Sequence, residues 1–160
     1  MEDTEISVAD IMTKKVVSVN PDTSLIEAAQ IITEHNFDGL PVIDEEDRLL
    51  GIITEYDLIS KKSIIYLPTL QIIIKNMPVI EKDKSQFRKD IELISSLTVK
   101  DVMNKNPITL SDKTNLKETV ATFCKHHRIN PIPVIDENNK VVGVISRFDI
   151  LKPLKNIISF

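Results

Sequence analysis

The sequence predicts a mixed α/β (α+β) fold in which one β-α-β-β-α unit occurs twice, and three observations carry that prediction. First, the chain repeats itself. GIITEYDL at residues 51–58 returns as GVISRFDI at 143–150, Pro41-Val42-Ile43-Asp44 as Pro133-Val134-Ile135-Asp136, and Asp10-Ile11-Met12 as Asp101-Val102-Met103. Two long copies suggest paired modules, whereas a solenoid stacks three or more short ones. Second, the apolar period switches between 2 and 3.6 at corresponding places in both copies. Third, the 160 residues are rich in aliphatic side chains, only 4% aromatic and free of Trp, a composition that suits a packed α/β interior.

Each copy opens on a short β-rich run, Val16-Val17-Ser18-Val19 in the first and Ile108-Thr109-Leu110 in the second. A helix start follows. Ser24 with Glu27, and Asn115 with Glu118, have the three-residue spacing of a capping box, in which side chains satisfy the orphan N–H groups of the first turn. Leu25, Ala28, Ala29 and Ile32, then Leu116, Thr119, Val120 and Phe123, fall at i, i+3, i+4 and i+7 and define one helical face per copy. LPVID and IPVID read as buried strands, DEED and DENN as turns. RLLGIIT and KVVGVIS read as the strands that pair back, and EYDLIS and RFDILK open the second helices.

This order divides the chain into a first unit at 1–59, a linker at 60–98 and a second unit with a C-terminal helix and tail at 99–160. A connection of that length is seldom structureless. Thr69 to Asn76 reads as a short apolar helix, EKDKSQFRKD as a solvated charge-mixed stretch, and DIELISSL as a helix leading into the second unit.

The bulk numbers exclude several classes. Net charge is −4 and the 20 basic residues are scattered, so nucleic acid finds no electrostatic footprint. The opening MEDTEISVAD lacks the apolar core of a signal peptide. SIIYLPTLQIII, broken by Pro68, falls short of the ~20 apolar residues that span a bilayer. A lone cysteine, Cys124, excludes an internal disulfide and sits badly with an oxidising compartment. The expectation is a soluble, cytoplasmic protein with no membrane contact. Cys124, His126 and His127 have no second cluster to complete a metal set. Cys124 reads as a small buried hydrophobe, and His35 and His127 as cations at helix ends. No base–nucleophile pair, phosphate loop or HExxH appears, so the chain is not expected to be an enzyme.

The repeated ending holds the candidate chemistry. Thr54 with Asp57, and Ser146 with Asp149, have the spacing of a helix cap and its third-position acid. The same residues suit a ligand: a hydroxyl can donate to phosphate, and an Asp can accept both hydroxyls of a ribose, as an acid does in dinucleotide folds. Both readings stand on the pattern alone.

The ordered set D-[IV]-M, capped helix, [LI]-P-V-I-D and G-[IV]-I-[ST]-x-x-D, occurring twice, closely resembles a tandem pair of CBS (cystathionine β-synthase) domains, the Bateman module. The resemblance covers about residues 8–59 and 99–152. It implies two β-α-β-β-α motifs packed sheet to sheet with pseudo-two-fold symmetry, clefts that hold adenosyl ligands, pairing of modules into a disc-shaped homodimer, and regulation of another protein without catalysis. Carried onto this sequence, it implies that the hydroxyls of Thr54 and Ser146 meet phosphate and that Asp57 and Asp149 meet ribose. Adenine would lie against Val17, Ser18, Leu40 and Pro41 in one cleft and against Ile108, Thr109, Ile132 and Pro133 in the other.

An adenosyl compound is the expected ligand, with AMP the leading candidate and an unidentified protein the expected partner; the alternative is a structural or oligomerising module with empty clefts. Polyphosphate-holding relatives carry basic residues before the L-P strand. Here those stretches are Asn36-Phe37-Asp38-Gly39 and Arg128-Ile129-Asn130-Pro131. Arg147 follows Ser146, whereas Glu55 follows Thr54. This charge difference makes the Ser146–Asp149 cleft the expected anion site, with Asp149→Ala the more damaging change. The expected homodimer draws on the apolar stretches SIIYLPTLQIII and Ile157-Ile158-Ser159-Phe160.

Overall fold

The computed structural model describes residues 6–60, 78–79, 81 and 84–152. The expected helix at Thr69–Asn76, the SIIYLPTLQIII stretch and the apolar tail lie outside them. In chain order the elements are α1 (Val8–Ile11), α2 (Leu25–His35), β1 (Gly39–Ile43), β2 (Leu49–Thr54), α3 (Glu55–Ser60), α4 (Lys84–Ser96), α5 (Val99–Val102), β3 (Leu110–Ser111), α6 (Leu116–Lys125), β4 (Ile132–Ile135), β5 (Val141–Ile145) and α7 (Arg147–Leu151). Among these residues no helix is long and apolar enough to cross a membrane.

The helix starts follow the caps. Ser24 Oγ accepts from the Glu27 N–H at 3.1 Å and Asn115 Oδ1 from the Glu118 N–H at 2.8 Å. Fuller capping boxes stand before the two shortest helices, where Ser7 and Thr98 exchange bonds with Asp10 and Asp101. The acid of each D-[IV]-M motif is therefore a cap. The charge-mixed stretch read as solvated chain is helical from Lys84 onward, and within it Gln86 Nε2 donates to the buried Asp90 carboxylate at 2.7 Å. Cys124, expected to be buried, is exposed on α6, because Thr119 and Phe123 turn the other face of that helix inward.

β1 and β2 form an antiparallel pair, and β3-β4-β5 a three-stranded sheet in which β3 is parallel to β4. The expected opening strands are shorter than their β-rich runs. In the first copy only Val19 pairs, its N–H donating to Pro41 O and its carbonyl accepting from Ile43 N–H. Continuing that parallel ladder toward Val17 needs an N–H from Pro41, which proline lacks. Pro133 has the same effect in the second copy, where pairing begins at Leu110.

The cores form across the copies. Val99 and Val102, from the start of the second copy, pack with Leu25, Ile32, Leu40 and Ile53 of the first. Val8, from the start of the first, packs with Leu110, Phe123, Ile132 and Ile145 of the second. Each crossing has its symmetry mate: Thr13 bridges Val144 as Asn104 bridges Ile52, and Ser7 bridges Asn115 as Ser24 bridges Thr98. The hairpin turns meet in the same paired way, Leu49 N–H donating to Asn139 O and Val141 N–H to Asp47 O. The repeated glycines permit this crossing. A Cβ on Gly51 would lie 2.6 Å from Asn104 O, and one on Gly143 would lie 2.3 Å from Met12 Sδ. Met12 and Met103, the last residues of the two D-[IV]-M motifs, thus seat against the glycine of the opposite copy.

Candidate functional site

Both strand endings form the cap that the spacing predicts. Asp57 Oδ2 accepts from Thr54 N–H at 3.1 Å and from Thr54 Oγ1 at 2.8 Å, and the Asp57 N–H donates back to Thr54 Oγ1 at 3.3 Å. Asp149 Oδ2 likewise accepts from Ser146 N–H at 2.7 Å and from Ser146 Oγ at 2.8 Å. The surroundings then diverge. Asp149 is only 4% exposed, and its Oδ1 accepts from Lys152 Nζ at 2.5 Å and Thr13 Oγ1 at 3.4 Å. Burial pushes the Asp149 carboxyl up, but Lys152 and the Ser146 donors outweigh it and hold it below the ordinary carboxylate value. Asp57 is half-buried and stands in a cleft wall.

That cleft encloses about 290 Å³. Thr54, Tyr56 and Asp57 supply one wall from the first copy, while Asn104, Pro107 and Ile108 approach from the start of the second. Residues Arg128 to Pro131, the loop before β4, close it. The Asn104 bridge to Ile52 brings Ile108 here, since it docks the incoming second copy on the edge of β2. A second space of about 450 Å³ shares Thr54, Tyr56, Arg128 and Asn130 with it and adds Glu55, His127 and Arg147, so the two form one continuous groove.

Of the residues expected to bind a ligand, the structure brings Thr54, Asp57 and Ile108 together. Leu40, Pro41, Ile132 and Pro133 have fully buried side chains that pack into the molecule. Val17 packs on the first core, and Ser18 and Thr109 are half-buried. The matching of clefts by copy does not hold at Ile108, which meets the first copy's motif.

Arg147 departs furthest from the sequence argument. Its Nη2 donates to the carbonyls of Phe123 (3.3 Å), His126 (3.3 Å) and His127 (2.9 Å), and its guanidinium lies 5.2 Å from the Phe123 ring centroid. The cation is drawn to the carbonyl-rich end of α6 and to an aromatic face. It lines the groove beside Glu55 and Thr54. The charge-based preference for the Ser146 cleft therefore loses its geometric support.

Tyr56, Asn104 and Asn130 also line the cleft, and the sequence reading did not single them out as ligand contacts. The repeat offered a signal for two of them, since Asn104 is the partner of Thr13 and Asn130 the partner of Asp38. Asn130, whose peptide bond to Pro131 is cis, donates to Asp38 Oδ2 at 2.6 Å and accepts from the Arg147 N–H at 3.1 Å. It ties a first-copy loop to a second-copy helix. Burial raises the Glu55 carboxyl above its usual value, with Asp38 and Asp57 adding to the rise.

The CBS domain family profile matches residues 8–63 and 99–156. The CBS domain-containing protein CBSX1 of Arabidopsis thaliana, chloroplastic by its name, is 30% identical over 91% of this chain and 63% of its own length. The chain thus spans somewhat under two thirds of that relative. Inosine-5'-monophosphate dehydrogenase of Methanocaldococcus jannaschii is 29% identical over 91% of this chain, but the match covers only 23% of the enzyme. Among solved structures, CBSX2 in complex with AMP superposes with a TM-score of 0.68 at 25% identity, covering 94% of this chain and 97% of that one. The CBS domain pair of MJ0100, in complex with 5′-methylthioadenosine and S-adenosyl-L-methionine, superposes with a TM-score of 0.65 at 25% identity, covering 93% and 99%. With both copies matched separately and their fold shared by solved pairs, the chain belongs to the CBS domain family, as a tandem pair.

Proposed function

We propose that this chain is a regulatory module that binds an adenosyl compound in the cleft between the Thr54–Asp57 motif and Ile108, and that the bound state is read by a partner protein. The observation that carries the reading is the meeting, in one cleft, of a hydroxyl and a carboxylate from one copy with apolar walls from the other. Adenine fits against Ile108 and Ile129, and Asp57 accepts from the ribose hydroxyls. The AMP bound by CBSX2 and the adenosyl compounds bound by MJ0100 support the ligand class. Asn130 provides the coupling, because a ligand touching it perturbs the bonds to Asp38 and to the Arg147 N–H together. The shift a ligand produces is limited by its differential affinity for the two arrangements.

The test is a thermal-shift panel of AMP, ADP, ATP, S-adenosylmethionine and NADH, with the A260 of the purified protein read first. A ligand at 100 times its Kd adds ~2.7 kcal/mol, roughly 5–10 °C for a chain of this size. No A260 absorbance and no shift with any compound would leave the structural-module alternative, which the fully bonded Asp149 favours for the other motif.

The homodimer is part of the same proposal. Leu25, Ile26, Ala29, Leu58 and Ile94 line an apolar groove of about 300 Å³, with Ile26 42% exposed. Light scattering should give twice the 18.1 kDa of one chain; a monomer mass at working concentration would refute it. A cytoplasmic location rests on the single cysteine and is checked by cell fractionation.

A further inference from the structure

The first turns of α3 and α7 are joined from one copy to the other by three hydrogen bonds that meet at Asp38 and Asn130. The Glu55 N–H, at the start of α3, donates to Asp38 O at 3.1 Å. Asp38 Oδ2 accepts from Asn130 Nδ2 at 2.6 Å, and Asn130 Oδ1 accepts from the Arg147 N–H, at the start of α7, at 3.1 Å. The link is not symmetric. Asp38 and Asn130 are repeat mates, yet Asp38 meets its helix through the backbone and Asn130 meets its helix through the side chain. The residue type makes this possible, because an amide both donates and accepts. A carboxylate at position 130 would only accept, and would face the Asp38 carboxylate across the same gap. The partners also fix which way the amide points, an acceptor lying on one side and an N–H on the other. Asn130 lines both the cleft and the groove that continues from it, so the middle of the link is open to an occupant of either. Its far end is anchored, since Arg147 Nη2 holds the carbonyls at the end of α6. A displacement of the Arg147 backbone therefore moves the start of α7 and the end of α6 together.

We infer that the Asp38–Asn130 link is the relay by which occupancy of the cleft reaches the second copy: a ligand that touches Asn130 resets the starts of α3 and α7 together and, through Arg147, the end of α6. Asn130 is a positioning residue in this role. The inference rests on the adenosyl reading above and deepens it, giving the route of the response and the place where it ends.

Amide hydrogen exchange tests it, read with AMP, with S-adenosylmethionine and with neither. Without ligand, Asn130→Asp should speed exchange at the Glu55 amide, in the opposite copy, by about fivefold, the scale of one exposed hydrogen bond to a charged group. Adding Asp38→Asn to the same chain restores a donor–acceptor pair and should return the Glu55 amide to the wild-type rate. In the wild type, whichever compound binds should slow exchange at Glu55 and Arg147 together. In Asn130→Ala the same compound should still slow the Glu55 amide, beside Thr54 and Asp57, and leave Arg147 at its ligand-free rate. Asp38 is exposed and Asn130 half-buried, so each variant should keep a melting temperature close to that of the wild type. A wild-type rate at Glu55 in Asn130→Asp would overturn the relay while leaving the adenosyl reading intact. So would an equal slowing of Arg147 in Asn130→Ala and in the wild type. If neither compound alters any amide of the wild type, the adenosyl reading fails and this inference with it.

Discussion

The two strand endings begin from nearly the same residues and end in different chemistry. Thr54–Asp57 and Ser146–Asp149 make the same capping bonds to within about 0.4 Å. Around Asp149, Lys152 and Thr13 supply two further donors and the carboxylate is buried. The position matching Lys152 in the first copy is Ser60, and the position matching Thr13 is Asn104, which lines the cleft instead. The same cap thus occurs both in a buried site and in the wall of a cleft. The surrounding residues, Lys152 one turn on in the same copy and Thr13 from the opposite one, account for the difference.

The contrast breaks most sharply at the glycines that let the copies cross. Gly51→Ala puts a methyl 2.6 Å from a backbone carbonyl, whereas Gly143→Ala meets the end of a methionine that can swing aside. Gly51→Ala should therefore cost about 3 kcal/mol and Gly143→Ala about 1 kcal/mol, as urea denaturation would show. Equal losses would mean that Asn104 is not fixed against β2.

Next in size is the difference between the two acids. Asp149→Ala removes the acceptor for two Ser146 donors, Thr13 and Lys152, and should cost about 2–3 kcal/mol. That range is set below the value for a fully buried pair, because Lys152 is 48% exposed. Asp57→Ala should cost about 1 kcal/mol, the scale of a lost cap. The same difference appears with pH. Because the Asp149 carboxyl is held below its ordinary value, its contribution is complete above about pH 4, the unfolded value, and is lost as pH falls through the folded one. The melting temperature of Asp149→Asn should accordingly fall less between pH 5 and about pH 2 than that of the wild type.

The smallest effect belongs to Glu55. Its raised value means that the folded state holds the proton more tightly, so its contribution to stability declines as pH rises through the carboxylate range. Glu55→Gln should leave the neutral-pH melting temperature equal to or slightly above that of the wild type. A clear drop would show that the carboxylate makes a stabilising contact.

Much of the fold was legible because it is local. The 3.6-residue spacing marked α2 and α6, the PVID runs marked β1 and β4, and Ser24 and Asn115 announced their helices. The S-x-x-D and T-x-x-D patterns at Ser7–Asp10 and Thr98–Asp101 were equally available and went unread as caps. Strand lengths were overestimated, since Pro41 and Pro133 stop ladders that side-chain pattern alone would extend. The site was less legible for a different reason. Thr54 and Asp57 were visible as a motif, but Ile108 reaches them only because Asn104 docks on Ile52, a contact between residues far apart in sequence. Nothing in the charge of Arg147 shows that α6 ends within its reach.

The central claim is that the ligand cleft is built across the copies on Thr54 and Asp57, and calorimetry on two variants tests it most directly. With whichever adenosyl compound gives the largest thermal shift, Asp57→Ala should lose binding by about a hundredfold, two well-made contacts to a ribose diol. Asp149→Ala, measured at a temperature where it remains folded, should bind within a few-fold of wild type. The account is contradicted if Asp149→Ala abolishes binding while Asp57→Ala retains it.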